Sequence, residues 1–214
     1  MADGNGPPSR ASESSTFIDF LDPLFAVAIG VGFEGILLEP WLKEWRIPKG
    51  QDLFSLFVFI LGILTITLSW FGYHKSIRKM SIEGRGRFIV DIELLILYIL
   101  LVYQYKNLGA VLFILAAIYL SFVLWDLLKI AEHPEKYPSK DENGKEINLF
   151  TRYNRELITF QWSVIFLIFP IAHHFSGDTN YLLILAYLGT VFYRVDKDKH
   201  FLGSLFNWLK GRRS

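Results

Sequence analysis

The chain has 214 residues, of which 52% are hydrophobic, 16% aromatic and only 20% charged, and its mean hydropathy is +0.32. A soluble domain spends about a quarter of its residues on Asp, Glu, Lys and Arg, and here the charges bunch between long uncharged runs, so the composition excludes an ordinary surface in water and indicates an integral membrane protein. With 22 basic and 21 acidic residues there is no basic footprint for nucleic acid, and the lack of cysteine excludes disulfides, thiolate metal sites and cysteine nucleophiles.

Residues 1–16 open with MADGNGPPSRASESS, rich in Gly, Pro and Ser, and read as a disordered leader; the apolar run that follows is too long for a signal peptide and lacks a small-residue cleavage site. Crossing about 30 Å of hydrocarbon takes roughly 20 apolar residues in a helix. Six runs approach that length: Phe17 to Leu38, Leu53 to Tyr73, Phe88 to Tyr103, Leu108 to Ile130, Leu157 to Phe175 and Tyr181 to Val195. The expected fold is therefore an all-α domain over 17–195 with six transmembrane helices, each satisfying its own backbone hydrogen bonds as lipid cannot. Between the fourth and fifth runs, the polar segment 131–154 carries two prolines and Asn143-Gly144, which predict a turn or small hairpin. Its acids Asp141, Glu142 and Glu146 lack the length and spacing of a calcium loop. The tail 196–214 gathers Phe201, Leu205, Phe206, Trp208 and Leu209 ahead of Lys210, Arg212 and Arg213, which suits an interfacial anchor or a subunit contact.

Lysine and arginine are retained on the cytoplasmic side of short loops. Placed alternately across six spans, eighteen basic residues fall on the side of the termini and four (Lys43, Arg46, Lys49 and Lys106) on the other. Both termini are thus expected in the cytoplasm, and this even count requires the short sixth run to span.

Ionisable groups inside a span cost a few kcal/mol or more and need a partner, a wet cavity or the headgroup level. The first run has Asp19, Asp22 and Glu34, and the third has Asp91 and Glu93. In this topology Asp22 and Asp91 lie near the cytoplasmic end. Trp70, Tyr73 and His74, Trp125 and Asp126, and Arg152, Arg155 and Glu156 lie at the same depth, so a polar network clamping the helices is expected there. The first run also holds Pro23, Gly30, Gly32 and Gly35. Small residues allow close helix contact or leave room for a conduit. Three- and four-residue steps put Phe20, Pro23 or Leu24, Val27, Gly30 or Val31, and Glu34 on one stripe, which runs from an acid through small and aliphatic residues to another acid and suits a narrow permeation path.

The stretch FLDPLFAVAIGVGFEGILLEP, Phe20 to Pro40, resembles the signature first helix of the transmembrane protein 175 family of lysosomal and bacterial potassium channels. Phe20, Leu21 and Asp22 fall on that family's Phe-Ser-Asp triplet, and Phe25 to Ile29 on its FAIAI-type run. SWFGYHKSI matches the end of its second helix through Trp70 and His74; Asp91 at the start of the third is a looser match. The resemblance implies six helices per repeat and a homotetramer with the first helix lining a central pore for monovalent cations. It also implies a clamp network of Phe20, Asp22, Trp70, His74 and Asp91 and a constriction at Val27, with Gly30 at a position where the family carries a hydroxyl; taken with the stripe, the expected pore face is Leu24, Val27, Gly30, Val31 and Glu34. Three departures stand out: Leu21 replaces the motif serine, no arginine precedes the triplet, and Gly30 replaces a hydroxyl.

Three functional classes follow. An oligomeric cation channel, passing potassium or leaking protons and other cations, uses the stripe directly. A non-conducting membrane sensor or assembly partner needs no such stripe. A lipid-modifying enzyme would need clustered acids for magnesium or a paired His and acid, and the sequence has no DDxxD-like pair and no P-loop; His173-His174 are adjacent, so their rings diverge on a helix. The expectation is a channel, not an enzyme, with no cofactor, and with its own copies, the bilayer and monovalent cations as partners and no nucleic acid. Internal repeats, which a transporter would show, are missing.

Overall fold

The computed structural model describes the backbone of residues 10–77, 82, 84–140, 143–176 and 180–199, and the side chains of 21–77, 82, 84–140, 143–176 and 181–198. Among the described residues the architecture is all-helical. The helices are α1 (Arg10–Leu37), α2 (Pro40–Lys43), α3 (Gln51–Ile77), α4 (Arg85–Tyr103), α5 (Leu108–Glu132), α6 (Leu149–Arg152), α7 (Asn154–Phe175) and α8 (Asn180–Lys199). The six long ones coincide with the six apolar runs. Local signals set their ends: Pro40 occupies the first position of α2, where its missing N–H costs nothing, and the Asn107 side chain caps α5 by accepting from the Ala110 N–H at 3.1 Å.

One boundary differs from the sequence reading. The helix α1 begins at Arg10, so the last part of the segment 1–16 is helical and not an irregular leader. After Pro8 no Gly or Pro interrupts the chain until Pro23, and Ala11 and Glu13 favour helix. Residues 200–214, which hold most of the amphipathic tail, lie outside the described residues, as do Asp141 and Glu142.

Among the described residues three helices, α3, α5 and α7, are long and apolar enough to cross a membrane. In α1, α4 and α8 apolar stretches are interrupted by charge: Asp19, Asp22 and Glu34; Arg87, Asp91 and Glu93; and Arg194, Asp196, Lys197 and Asp198.

The long helices pack in a closed circuit, α1 on α4, α4 on α5, α5 on α7, α7 on α8, α8 on α3 and α3 on α1, with α3 also touching α4. The most extensive contact is α5 with α7, where Tyr119 stacks flat on Phe166 at a centroid distance of 3.7 Å. On the other side of the bundle, α1, α3 and α4 approach through small residues. A Cβ placed on Gly32 would lie 2.9 Å from Val102 Cβ, and one on Gly62 would lie 3.1 Å from Val102 Cγ1, so the Val102 side chain of α4 fills the space both glycines leave.

The polar segment after α5 contains a one-turn 3-10 helix, Pro134–Lys136, and an isolated antiparallel bridge pairing Lys140 with Glu146. Gly144 between them has φ +77°, the left-handed geometry that the Asn-Gly pair favours.

Candidate functional site

The helix α1 shows the bundle one face and turns another away from it. Leu21, Phe25, Ala28, Gly32 and Ile36 are buried against α3 and α4, at the three- and four-residue spacing of a single helical stripe. The stripe read from the sequence lies to the other side: Leu24 and Val31 are half-buried at its shoulder, Val27 is 52% exposed, and Gly30 and Glu34 are exposed. A Cβ on Gly30 would have nothing within 4 Å. Phe33 and Leu37 extend this outward face, so Glu34 sits among apolar neighbours. It makes no hydrogen bond or ion pair among the described residues.

At the opposite edge of α1, Asp22 meets α3. Trp70 Nε1 donates to Asp22 Oδ1 at 3.0 Å, and His74 Nε2 lies 2.7 Å from the same oxygen. A carboxylate only accepts, so His74 carries its proton on Nε2. The two donors are one helical turn apart, and their rings touch edge to face at 4.7 Å, which fixes both. Asp91 does not join this trio. Its oxygens are taken by Tyr73 Oη at 3.2 Å and Trp125 Nε1 at 3.0 Å, which ties α4 to α3 and α5. The fully buried Arg87 lies 4.3 Å over the Trp125 ring and donates to Glu132 at 3.0 Å. The side chain of Phe20, the remaining motif residue, lies outside the described ones.

A second network, behind the first, joins α5, α7 and α8. Buried Asp126 accepts from Lys129 at 2.9 Å on one oxygen, and from Thr159 at 2.7 Å and Lys197 at 3.0 Å on the other. Lys129 reaches on to Glu156 at 2.6 Å, and the Tyr137 hydroxyl donates to the same Glu156 oxygen at 2.8 Å. The sequence reading noticed Asp126 and Glu156 but missed Lys129, Thr159, Tyr137 and Lys197. The Asp126/Lys129 spacing of three residues was the available signal; the other partners come from remote segments.

At the other end of the bundle, Glu39 accepts a hydrogen bond from the Tyr105 hydroxyl and an ion pair from Lys106 at 2.6 Å. Burial raises the carboxyl's pKa, but the bonds from Lys106 and Tyr105 outweigh it and hold Glu39 below the usual value of 4.5. Also at this end, the ring of half-buried His173 turns toward α5 at Gly109, whereas His174 is exposed, so the adjacent pair diverges. Among the described residues no three His, Asp or Glu side chains are grouped to hold a metal ion.

The chain matches no family model, no curated protein and no solved structure.

Proposed function

We propose that the chain is a six-span membrane protein with both termini in the cytoplasm, assembling as a symmetric oligomer, with a tetramer favoured, in which α1 lines a pore for monovalent cations. One observation carries this reading: Glu34 lies on an outward face that is otherwise apolar. A carboxylate facing hydrocarbon costs a few kcal/mol or more, whereas the same carboxylate facing a water-filled axis attracts cations. Copies arranged around α1 would turn Val27, Gly30, Val31 and Glu34 toward one lumen.

In this arrangement a ring of Val27 side chains is the narrow, poorly wetted point, and Glu34 concentrates cations about 10 Å beyond it along the helix. Gly30 offers no side-chain oxygen between them. The lumen then selects by charge rather than by a fitted ring of hydroxyls, and potassium is preferred only weakly over sodium. The two buried networks and the Asp22 trio hold the bundle that carries α1, and none of them is a conduction site.

Flux into liposomes reconstituted with the purified protein tests the reading. Val27→Ser is expected to raise cation flux, and Glu34→Gln to reduce the preference for cations over anions while the oligomer stays intact. If neither the wild type nor Val27→Ser passes cations, the channel reading fails and a non-conducting membrane partner becomes the better account.

A further inference from the structure

Inside the bundle, apart from the outward face of α1, lies a cavity of about 70 Å³ to whose wall all six long helices contribute. One water takes roughly 10–15 Å³ on this measure, so the space holds about five waters or one tetrahedral oxyanion. The wall is largely apolar, and the charged residues in it are mostly cationic. Four cations, Lys129, Arg155, Arg194 and Lys197, line it among the described residues, against a single carboxylate, Asp91. Both Asp91 oxygens already accept hydrogen bonds from Tyr73 and Trp125.

The acids that pair with these cations are not part of the wall. Lys129 and Lys197 lean on Asp126, Lys129 also on Glu156, and Arg194 Nη2 on Asp198 at 3.2 Å, and none of the three acids lines the cavity. An ammonium has three N–H donors; Lys129 uses two of them on Asp126 and Glu156, and Lys197 uses two on Asp126 and the Tyr193 hydroxyl. Each keeps one. Arg155 Nε is buried and has no hydrogen-bond partner among the described residues. The Arg194 guanidinium is admitted by the bare backbone of Gly72, where a Cβ would lie 2.0 Å from Nη1.

We propose that this cavity binds a phosphate group, carried either on a lipid headgroup or on a soluble phosphate. Cationic side chains from α5, α7 and α8 line one small space, and a phosphate supplies several acceptor oxygens and the opposite charge. A chloride ion would satisfy the charge but not the spread of donors. The site is independent of conduction, because it lies within one chain and its occupancy is read by binding rather than by flux.

The test is titration of the full-length protein in detergent with inorganic phosphate and, separately, with phosphatidic acid, at constant ionic strength. Saturable binding is expected, weakened about tenfold or more in Arg155→Gln and less in Arg155→Lys, as for a lost charge-assisted hydrogen bond. Phosphatidic acid binding tenfold more tightly than inorganic phosphate identifies the lipid headgroup as the source; comparable affinities identify the soluble ion. Thermal melting checks that each variant is folded, and if neither is, the wild-type titrations decide. The proposal is overturned if neither probe saturates the wild type, if folded Arg155→Gln binds like wild type, or if chloride displaces phosphate at equal concentration.

Discussion

His74 Nε2 sits 2.7 Å from Asp22 Oδ1, across the contact between α1 and α3, and shares that oxygen with Trp70 Nε1. Asp22 and two side chains about fifty positions further along the sequence thus pin the middle of α1 to α3. The Asp22 side chain is partly exposed, so its loss is softened by solvent. Replacement of Asp22 by Ala is expected to lower stability by about 1–2 kcal/mol, and Trp70→Phe, which removes one donor, by about half that. Thermal melts of the detergent-solubilised oligomer measure both, and unchanged melting in Asp22→Ala would remove the clamp.

The glycines of α1 divide by the face they occupy. Gly32→Ala places a methyl 2.9 Å from Val102 Cβ and 3.1 Å from Phe59 Cε2, so it is expected to cost about 1–3 kcal/mol through overpacking. Gly30→Ala meets nothing within the chain and is expected to be neutral or stabilising by up to about 1 kcal/mol through helix propensity. Paired melting curves distinguish the two, and equal effects would mean that α1 is rotated from the orientation described.

Asp126 is the shared acceptor for two ammonium groups, both drawn into the bundle with it. Asp126→Asn leaves Lys129 and Lys197 without that charge, a loss expected to cost about 3–5 kcal/mol. Lowered expression and an early melting transition are the expected readouts. A variant that melts with the wild type would show that the network is wet enough to replace the carboxylate with water.

Glu39 gives a pH dependence of known sign. Because its folded pKa lies below the usual 4.5, the folded state favours the carboxylate, and the stabilisation is complete above the unfolded value. It is lost as the pH falls through the folded value. The wild type is therefore expected to lose stability below about pH 4.5 with a component that Glu39→Gln lacks, while at pH 7 that variant is less stable by about 1 kcal/mol because Tyr105 and Lys106 lose an ionised partner. Melting temperatures from pH 7 to pH 3 measure it, and parallel curves for both proteins would refute the assignment.

The long helices were legible because each is a charge-poor run closed by Pro, Gly, Asn or a charge cluster, and a helix is a local structure whose hydrogen bonds lie within the run. The Trp70 and His74 pair was legible for the same reason: four residues apart on one helix, both face the same way wherever that helix goes. The start of α1 at Arg10 is not marked in the same way, because residues 10–16 hold no Gly or Pro but directly follow the Gly- and Pro-rich residues 4–8.

What the sequence determined by itself is which segments become helices and which residues share a face, since both follow from periods of a few residues along one chain. Only the tertiary structure decided which face meets which helix. Asp91 bonds Tyr73 and Trp125 and not the Asp22 trio, Lys197 crosses from α8 to Asp126, and Arg155 and Arg194 converge on one cavity, because the closed circuit of six helices fixes rotations about each axis that no single run encodes. Those rotations are set by packing at Gly32, Gly62 and Val102 and by the pairing of buried charges, which are satisfied only when remote segments meet.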